Sequence, residues 1–388
     1  MLFYNARVFT AAARAIENGF VQVKDGTFID VGPNAVLPRD DEAYDMGGAL
    51  IVPGFVESHC HIGMWEDGIG IEGDDGNEDT DPCTPQLRAI DAINPVERAF
   101  SEALNAGVTT VVTGPGSANP VAGQMAALKT YGSRVDDMLL KAPLAMKFAM
   151  GENPKNTYHA KGEAPATRMA TAALIREQLL KALHYKQDIE DAMADPERDP
   201  PEFDMKCEAM LGVLDRSVQA HFHAHRLDDI YTAVRIAKEF GLDAVIIHGT
   251  EGYLAARELA QEGLPVITGP MLTARTKPEL RCQSEVSPAV LSRAGVRVAI
   301  CTDHPEVPVQ YLSLSAAAAV RGGMPHDEAL RAITIYPAEI CGIDDRVGSI
   351  APGKDADFSV FREDPLAGFA LPEWVVCGGN IVKSPEKA

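Results

Sequence analysis

Residues 218–248, VQAHFHAHRLDDIYTAVRIAKEFGLDAVIIH, indicate the fold of this chain. They contain a strand-like segment of alternating histidines that ends near His225, a helical segment from Asp228 to Phe240, and an apolar run that ends at His248. Short apolar runs separated by a helix are typical of buried parallel strands in βαβ units. About eight such units fit between Ile51 and Gly342, so the sequence predicts an α/β fold, a TIM-like (β/α)₈ barrel.

The two ends of the chain have a different pattern. Residues 19–32 alternate apolar and polar side chains around Asp25-Gly26, a dipeptide that favours a tight hairpin turn, and residues 353–361 and 374–382 look similar. We therefore predict a small β-sandwich domain formed from both termini, residues 1–52 plus 346–388, beside a barrel of residues 53–345. Residues 165–215 are mostly helical and too long for one crossover helix. We expect a helical insertion there, over the barrel mouth, at a subunit contact or as a surface hairpin.

Composition excludes several classes of partner. The chain has 388 residues, 46% of them hydrophobic, and its 35 basic and 56 acidic side chains give a formal charge of −21. An acidic surface repels phosphate backbones and anionic lipid, so we expect no nucleic-acid or membrane partner. The N-terminal residues have the pattern of a strand and not of a signal peptide, and the seven cysteines form no CxxC pair. These features predict a cytoplasmic protein.

Histidines end two of the predicted strands in alternating positions. His59 and His61 follow the bend at Pro53-Gly54, and side chains two residues apart on a strand share a face. The pair is therefore suited to bind one metal ion. His221, His223 and His225 alternate in the same way, and three imidazoles that converge on a core without a metal would be costly. We predict His223 as a ligand.

Two further polar residues end apolar strands. These are His248, after residues 244–247, and Asp303, after residues 298–302. In a (β/α)₈ barrel, polar residues at the C-terminal strand ends form the active site. We predict both as metal ligands, with Asp303 also accepting the proton of a metal-activated water. Imidazole and carboxylate ligands suit Zn²⁺, and Mn²⁺ or another divalent ion stays an alternative.

Together these residues resemble the amidohydrolase superfamily along the whole chain. Residues 53–61 look like its strand-one motif, and His223, His248 and Asp303 resemble its residues on strands five, six and eight. Residues 348–358 are similar to the segment that returns such chains to their β domain. Residues 223–230 and 248–251 resemble the imidazolonepropionase-related branch.

The resemblance implies a lysine that bridges two metals. Residues 145–150, AMKFAM, resemble the lysine strand of hydantoinases. A lysine buried beside metals would lose its charge and could add CO₂, which gives a carbamate with two ligating oxygens. We predict Lys147 in this role, with Glu152 as the alternative. One or two metals per chain are both compatible with the sequence.

The implied activity is hydrolysis of a C–N bond in a small molecule, for which a cyclic amide, an N-acyl compound or a dipeptide would fit. The alternatives are a metal-dependent deaminase of a ring amino group and a non-catalytic barrel scaffold. We expect His225 and Arg226 at the mouth as substrate contacts, and Arg275 or Lys277 as the partner of a substrate carboxylate. The acidic loop 67–91 is either part of a lid or a solvated loop. Homo-oligomerisation is typical of this fold.

Overall fold

The computed structural model describes residues 1–35 and 42–385. Residues 36–41 and 386–388, which fall in the predicted terminal β domain, lie outside the described residues.

Strands in the described residues form two eight-stranded sheets. Numbered in chain order, the strands are β1 (Leu2–Val8), β2 (Ile16–Lys24), β3 (Thr27–Pro33), β4 (Ala43–Asp45), β5 (Leu50–Pro53), β6 (Phe55–Cys60), β7 (Val108–Thr113), β8 (Val121–Lys129), β9 (Leu139–Ala149), β10 (Gln219–Ala224), β11 (Ala244–His248), β12 (Val266–Thr268), β13 (Val298–Ile300), β14 (Phe358–Phe361), β15 (Trp374–Cys377) and β16 (Asn380–Lys383).

Helices lie mainly between the strands of the second sheet. They are α1 (Arg98–Asn105), α2 (Val135–Met138), α3 (Glu152–His159), α4 (Arg168–Ala194), α5 (Met205–Leu214), α6 (Leu227–Phe240), α7 (Ala256–Glu262), α8 (Ser287–Arg293), α9 (Leu312–Arg321), α10 (His326–Arg331) and α11 (Ile335–Ile340). No helix among the described residues is long and apolar enough to span a bilayer.

The second sheet runs β13-β12-β11-β10-β9-β8-β7-β6 and curls into a barrel. Its two edges meet at the C-terminal ends of β6 and β13, where the Asp303 amide donates to the His59 carbonyl (3.2 Å) and the His61 amide to the His304 carbonyl (2.8 Å). The predicted eight-stranded barrel is confirmed. It departs from strict (β/α)₈ order at β8, which is antiparallel to both β7 and β9 because the connection from β7 is a short loop without a crossover helix.

Barrel strands are buried on both faces because side chains fill the interior and helices cover the outside. Val56, Val245 and Ile247 belong to one buried cluster. On another face, Phe148 and Phe222 stack with ring centroids 4.8 Å apart and pack with the apolar side of α4. The helical stretch 165–215 thus contains α4, which packs against α3, α5 and α6, and α5, which also contacts β9 of the barrel.

The first sheet joins both ends of the chain, as predicted, in the order β16-β15-β14-β5-β1-β2-β3, with β4 paired to β1. Gly54 separates β5 of this sheet from β6 of the barrel. Its amide donates to the Asp357 carbonyl (2.9 Å), and a Cβ at this position would lie 2.0 Å from Thr109 Oγ1. Only glycine fits there, so the switch between the two sheets is fixed at one residue. The domain boundaries 1–52, 53–345 and 346–388 stay a prediction.

Candidate metal centre

The closure of the barrel brings together side chains that are distant in sequence. His59, His61 and Asp303 form one group whose ligand atoms lie within 4.8 Å of one another. Asp303 Oδ1 is 3.3 Å from His61 Nε2 and 3.5 Å from His59 Nε2. Two imidazoles and a carboxylate in this arrangement are a ligand set that a divalent ion such as Zn²⁺ accepts.

A second group of three buried imidazoles lies at the ends of β10 and β11. His223, His225 and His248 also place one ligand atom each within 4.8 Å of the others. The ring of His248 is 4.6 Å from that of His223 and 5.4 Å from that of His59, centroid to centroid. His248 therefore links the two groups at one end of the barrel.

Hydrogen bonds at Nδ1 fix which nitrogen His61, His248 and His223 offer, whereas Nδ1 of His59 has no partner among the described residues. The Nδ1–H of His61 donates to the Gly114 carbonyl and that of His248 to the Gly269 carbonyl, both at 2.7 Å. Nδ1 of His223 bonds the Ser117 hydroxyl (2.9 Å), and Nε2 of His223 is buried without a partner. A partner at Nδ1 orients the ring and leaves Nε2 as the ligand atom, which is the usual arrangement around protein-bound metals.

Burial favours the neutral form of four imidazoles of the site. It lowers the pKa of His59, His223 and His225 well below the ordinary histidine value, and that of His248 to about 4. For Asp303, burial alone would raise the pKa, but the nearby basic side chains of His248, His61 and Lys147, together with a hydrogen bond from His61, lower it. Neutral imidazoles and an ionised carboxylate are the protonation states that bind metal ions.

Lys147 lies on β9 with its side chain beside His59 of the first group. Its side chain is fully buried, and Nζ is 3.2 Å from His59 Nε2 and 3.4 Å from the Pro115 carbonyl. Burial lowers the pKa of Lys147 to about 8, against the opposing effect of the Asp303 charge. Its neighbour in the register, His221, bonds Gln219 through Nε2 and belongs to neither group.

The backbone is strained where two of these side chains project. His248 has φ +70° and Asp303 has φ +56°, both in the left-handed region that residues with a Cβ rarely adopt. Such conformations cost on the order of 1–3 kcal/mol each and persist where the surroundings enforce them, often at functional sites. The chain is therefore bent at His248, which ends β11, and at Asp303, which follows β13, where these side chains join the two groups of ligand atoms.

Sequence reasoning assigned no role to Glu57, a fully buried carboxylate within the strand-one motif. It accepts hydrogen bonds from the His59 amide (3.0 Å) and from the amide and hydroxyl of Thr302 (2.7 Å each). Burial raises the pKa of Glu57 to about 8. Glu57 ties β6 to the residue before Asp303 and so holds both sides of the first group. The sequence did indicate this position, because Glu57 lies two residues before His59 on the same strand and so shares a face with His59 and His61.

Glu279 was also missed, since it comes from the loop after β12, whose path the sequence does not indicate. It is almost fully buried, and Oε1 lies 3.7 Å from His225 Nε2 and 3.9 Å from His223 Nε2. Oε1 is also 3.2 Å from Lys277 Nζ, while Oε2 accepts the Glu152 amide (3.1 Å). Glu279 therefore places a carboxylate oxygen next to His223 and His225 of the second group.

Three predicted residues, Arg226, Arg275 and Glu152, belong to neither of the two groups of ligand atoms. Arg226 pairs with Asp228 through two hydrogen bonds of 2.9 and 2.8 Å, and Arg275 donates to the Gln283 carbonyl (2.7 Å). Neither arginine lines the central cavity. Glu152 does line it, and its carboxylate accepts from the Asn156 amide (3.3 Å) and the Glu279 backbone amide (3.4 Å).

The cavity beside the two groups has a volume of about 1020 Å³. His61, His223, His225 and Asp303 line its base. Its wall includes seven residues of the acidic loop 67–91, which accords with the lid alternative for that loop: Asp67, Gly68, Gly70, Ile71, Gly73, Asp74 and Asn77. The volume is in the range of small-molecule sites, so the imidazole groups are accessible to a ligand of metabolite size.

Comparison with known proteins gives the same picture. The model of the amidohydrolase family matches residues 50–382. The solved structure of an amidohydrolase from Thermotoga maritima MSB8 is 42% identical, covers 99% of both chains and superposes with a TM-score of 0.95. The amidohydrolase tasK of Hapsidospora irregularis is 28% identical over 94% of this chain, which spans only 39% of tasK. The imidazolonepropionase of Fusobacterium nucleatum is 22% identical, with 91% of this chain and 87% of the relative covered.

Proposed function

This chain belongs to the amidohydrolase family, as its sequence predicted, and we propose that its barrel end holds a divalent metal centre at which a small molecule is hydrolysed. The activity is metal-dependent hydrolysis of a C–N bond other than an ordinary peptide bond. The observation that carries the proposed site is the convergence of two three-residue groups of ligand atoms, each within 4.8 Å, at the end of the barrel.

The proposed ligands are those that the sequence predicted: His59, His61, Lys147, His223, His248 and Asp303. The buried, unpartnered Nε2 of His223 supports this assignment, since an orphaned polar atom in an apolar surrounding needs a partner. The short distance between Lys147 Nζ and His59 Nε2 supports Lys147, and not Glu152, as the bridging residue after carboxylation. Zinc is the proposed metal because imidazole and carboxylate ligands suit it.

When bound, the metal lowers the pKa of water and polarises the scissile carbonyl. The chain's own residues do the rest. Asp303 lines the cavity with an ionised carboxylate, which can accept the proton of the attacking water and return it to the leaving nitrogen. Ser117 and the Gly114 and Gly269 carbonyls hold the imidazoles in one orientation. His225 lines the same cavity and is proposed as a contact of metal or substrate.

The test combines metal analysis with a substrate screen. We would remove the metal with a chelator, restore it with Zn²⁺ or Mn²⁺, and assay cyclic amides, N-acyl amino acids and dipeptides. His248→Asn should lose metal and activity, whereas His326→Asn, a change in an exposed histidine paired with Asp364, should lose neither. Full activity after complete metal removal would contradict the proposal. Ammonia release from an aminated heterocycle with one metal per chain would identify the alternative deaminase. Cytoplasmic location and homo-oligomerisation stay predictions of the sequence.

A further inference from the structure

The cavity at the barrel mouth is lined by many more acids than bases. Apart from Asp303, which belongs to the metal groups, its acidic lining residues are Glu66, Asp67, Asp74, Glu152 and Glu306. Among the described residues of the lining, Lys277 is the one lysine or arginine. A cleft with charges of one sign and walls of low dielectric concentrates ligands of the opposite charge.

Lys277 does not offset this charge, because it already has a partner. Its ammonium lies 3.2 Å from the buried carboxylate of Glu279 and 2.9 Å from the side-chain oxygen of Asn153. Arg275, predicted to bind a substrate carboxylate, donates instead to the Gln283 carbonyl outside the cavity. Away from the metal groups, the described lining therefore offers no uncommitted cation to an anionic substrate group.

Two of the acids are open to a ligand. Within residues 1–35 and 42–385, no hydrogen-bond donor reaches the carboxylate of Asp67 or Glu306. By contrast, Glu66 accepts from the Asn94 amide at 2.6 Å, and Asp74 accepts from the indole N–H of Trp65. Asp67 and Glu306 are thus the carboxylates best placed to gain from a cationic group.

Trp65 adds an aromatic wall to the same cavity. Its ring meets that of His61 edge to face, with centroids 4.9 Å apart. Gly76 and Gly116 pack so closely that a Cβ on either would come within 2.2 and 2.6 Å of the indole. The ring is therefore fixed beside the proposed ligand His61, and an aromatic face next to carboxylates is a favourable environment for a cation.

We propose that the substrate of this site carries a cationic group, an ammonium or a guanidinium, which binds between Asp67, Glu306 and Trp65 while the scissile C–N bond lies at the imidazole groups. The unpartnered Nε2 of His223, a side chain only 3% exposed, lines the same cavity and marks its base as the place where the scissile bond of a ligand would lie. The inference rests on the proposed function, because it assigns the substrate class of the same centre.

The test measures charge selectivity by binding, without requiring the true substrate. Three hydroxamates of equal length anchor on a metal centre and differ at the far end: 6-aminohexanohydroxamate has an ammonium, heptanohydroxamate a methyl group, and the pimelic acid monohydroxamate a carboxylate. Titration calorimetry on the zinc-reconstituted full chain would give each Kd. We expect the ammonium compound to bind about tenfold more tightly than the methyl compound, and the carboxylate compound to bind most weakly.

Charge-neutral variants locate the effect. Asp67→Asn and Glu306→Gln should each reduce the preference for the ammonium compound by about two- to fivefold, and leave the affinity for the methyl compound unchanged. Glu190→Gln, which removes an exposed acid on α4, is the matched control and should change nothing. High salt should reduce the preference in the wild type, because exposed charges are screened.

The outcomes separate the two proposals. Equal affinities for the three compounds, or tighter binding of the carboxylate than of the methyl compound, would overturn the cationic-substrate inference and leave the metal centre intact. If none of the hydroxamates binds and the protein retains no zinc, the proposed function itself fails and the inference falls with it. The wild-type comparison decides the matter even if a variant fails to fold.

Discussion

Replacement of Lys147 by alanine should remove one of two metal ions. Lys147 has no exposed surface, and burial lowers its pKa from 10.5 to about 8. At pH 7, about one side chain in ten is then neutral, against roughly one in 3000 at the ordinary value. The neutral amine, which is the form that can add CO₂, is about 300-fold more abundant than for an exposed lysine. Without the carbamate, the proposed site would lose the two oxygens with which Lys147 would join the ligands His223 and His248.

The assay is metal content after dialysis, measured by inductively coupled plasma mass spectrometry. Wild type should retain about two divalent ions per chain, and Lys147→Ala about one. Lys181→Ala is the control, since this lysine is exposed on α4 and pairs with Glu177 within the helix. Wild type grown with ¹³C-labelled bicarbonate should also show a carbamate carbon resonance that Lys147→Ala lacks.

A second variant guards against misfolding. Lys147→Met keeps a long apolar side chain in the buried site and should fold as well as the wild type, yet it too should lose the ion. Two ions in both variants, together with no carbamate signal in the wild type, would refute the bridging role of Lys147. Metal analysis of Glu152→Gln would then test the alternative.

Other changes test stability and proton transfer. Burial raises the pKa of Glu97 from 4.5 to about 7, so the folded state binds more protons than the unfolded state between these values and loses stability as the pH rises through them. Glu97→Gln should therefore raise Tm at pH 8 more than at pH 5. Phe222→Ala removes a ring stacked in the barrel wall and should cost about 3–5 kcal/mol of unfolding free energy, whereas Phe369→Ala, at an 82% exposed site, should cost little, as chemical denaturation would show. Asp303→Asn should lower kcat by about 10²–10⁴-fold, and a loss below tenfold in the metal-loaded variant would exclude Asp303 as the proton acceptor.

The metal groups could be predicted because strand geometry relates sequence position to space. Side chains two residues apart point the same way, and the C-terminal ends of barrel strands meet at one rim. These two rules place His59 beside His61 and bring His248 and Asp303 to the same end of the barrel. The same parity applied to Glu57 would have placed it on the histidine face, although its role depends on Thr302, which lies 245 residues away.

The loop residues could not be predicted in this way. Glu279 reaches the imidazole group from a short 3₁₀ turn, Pro278–Leu280, in the connection between β12 and α8, and its contact with the Glu152 amide spans 127 residues. Arg275 lies four residues before Glu279 in the same loop and bonds a backbone carbonyl instead of facing the cavity. The antiparallel direction of β8 was hidden for a similar reason, since a short connecting loop leaves no helical pattern that would mark a crossover.

Strained backbone and an unpartnered nitrogen at the site lower the free energy of unfolding, and a bound ion would offset part of this loss. Left-handed backbone at His248 and Asp303 costs on the order of 1–3 kcal/mol each, and a buried imidazole nitrogen without a partner, as in His223, costs roughly 1–3 kcal/mol. These sums are comparable to the net stability of a domain, about 5–15 kcal/mol. Glu57 and the backbone hydrogen bonds between β6 and the residues after β13 hold the strained residues in place. An ion bound there would supply the missing partners, so metal affinity and folding stability should be coupled in this protein.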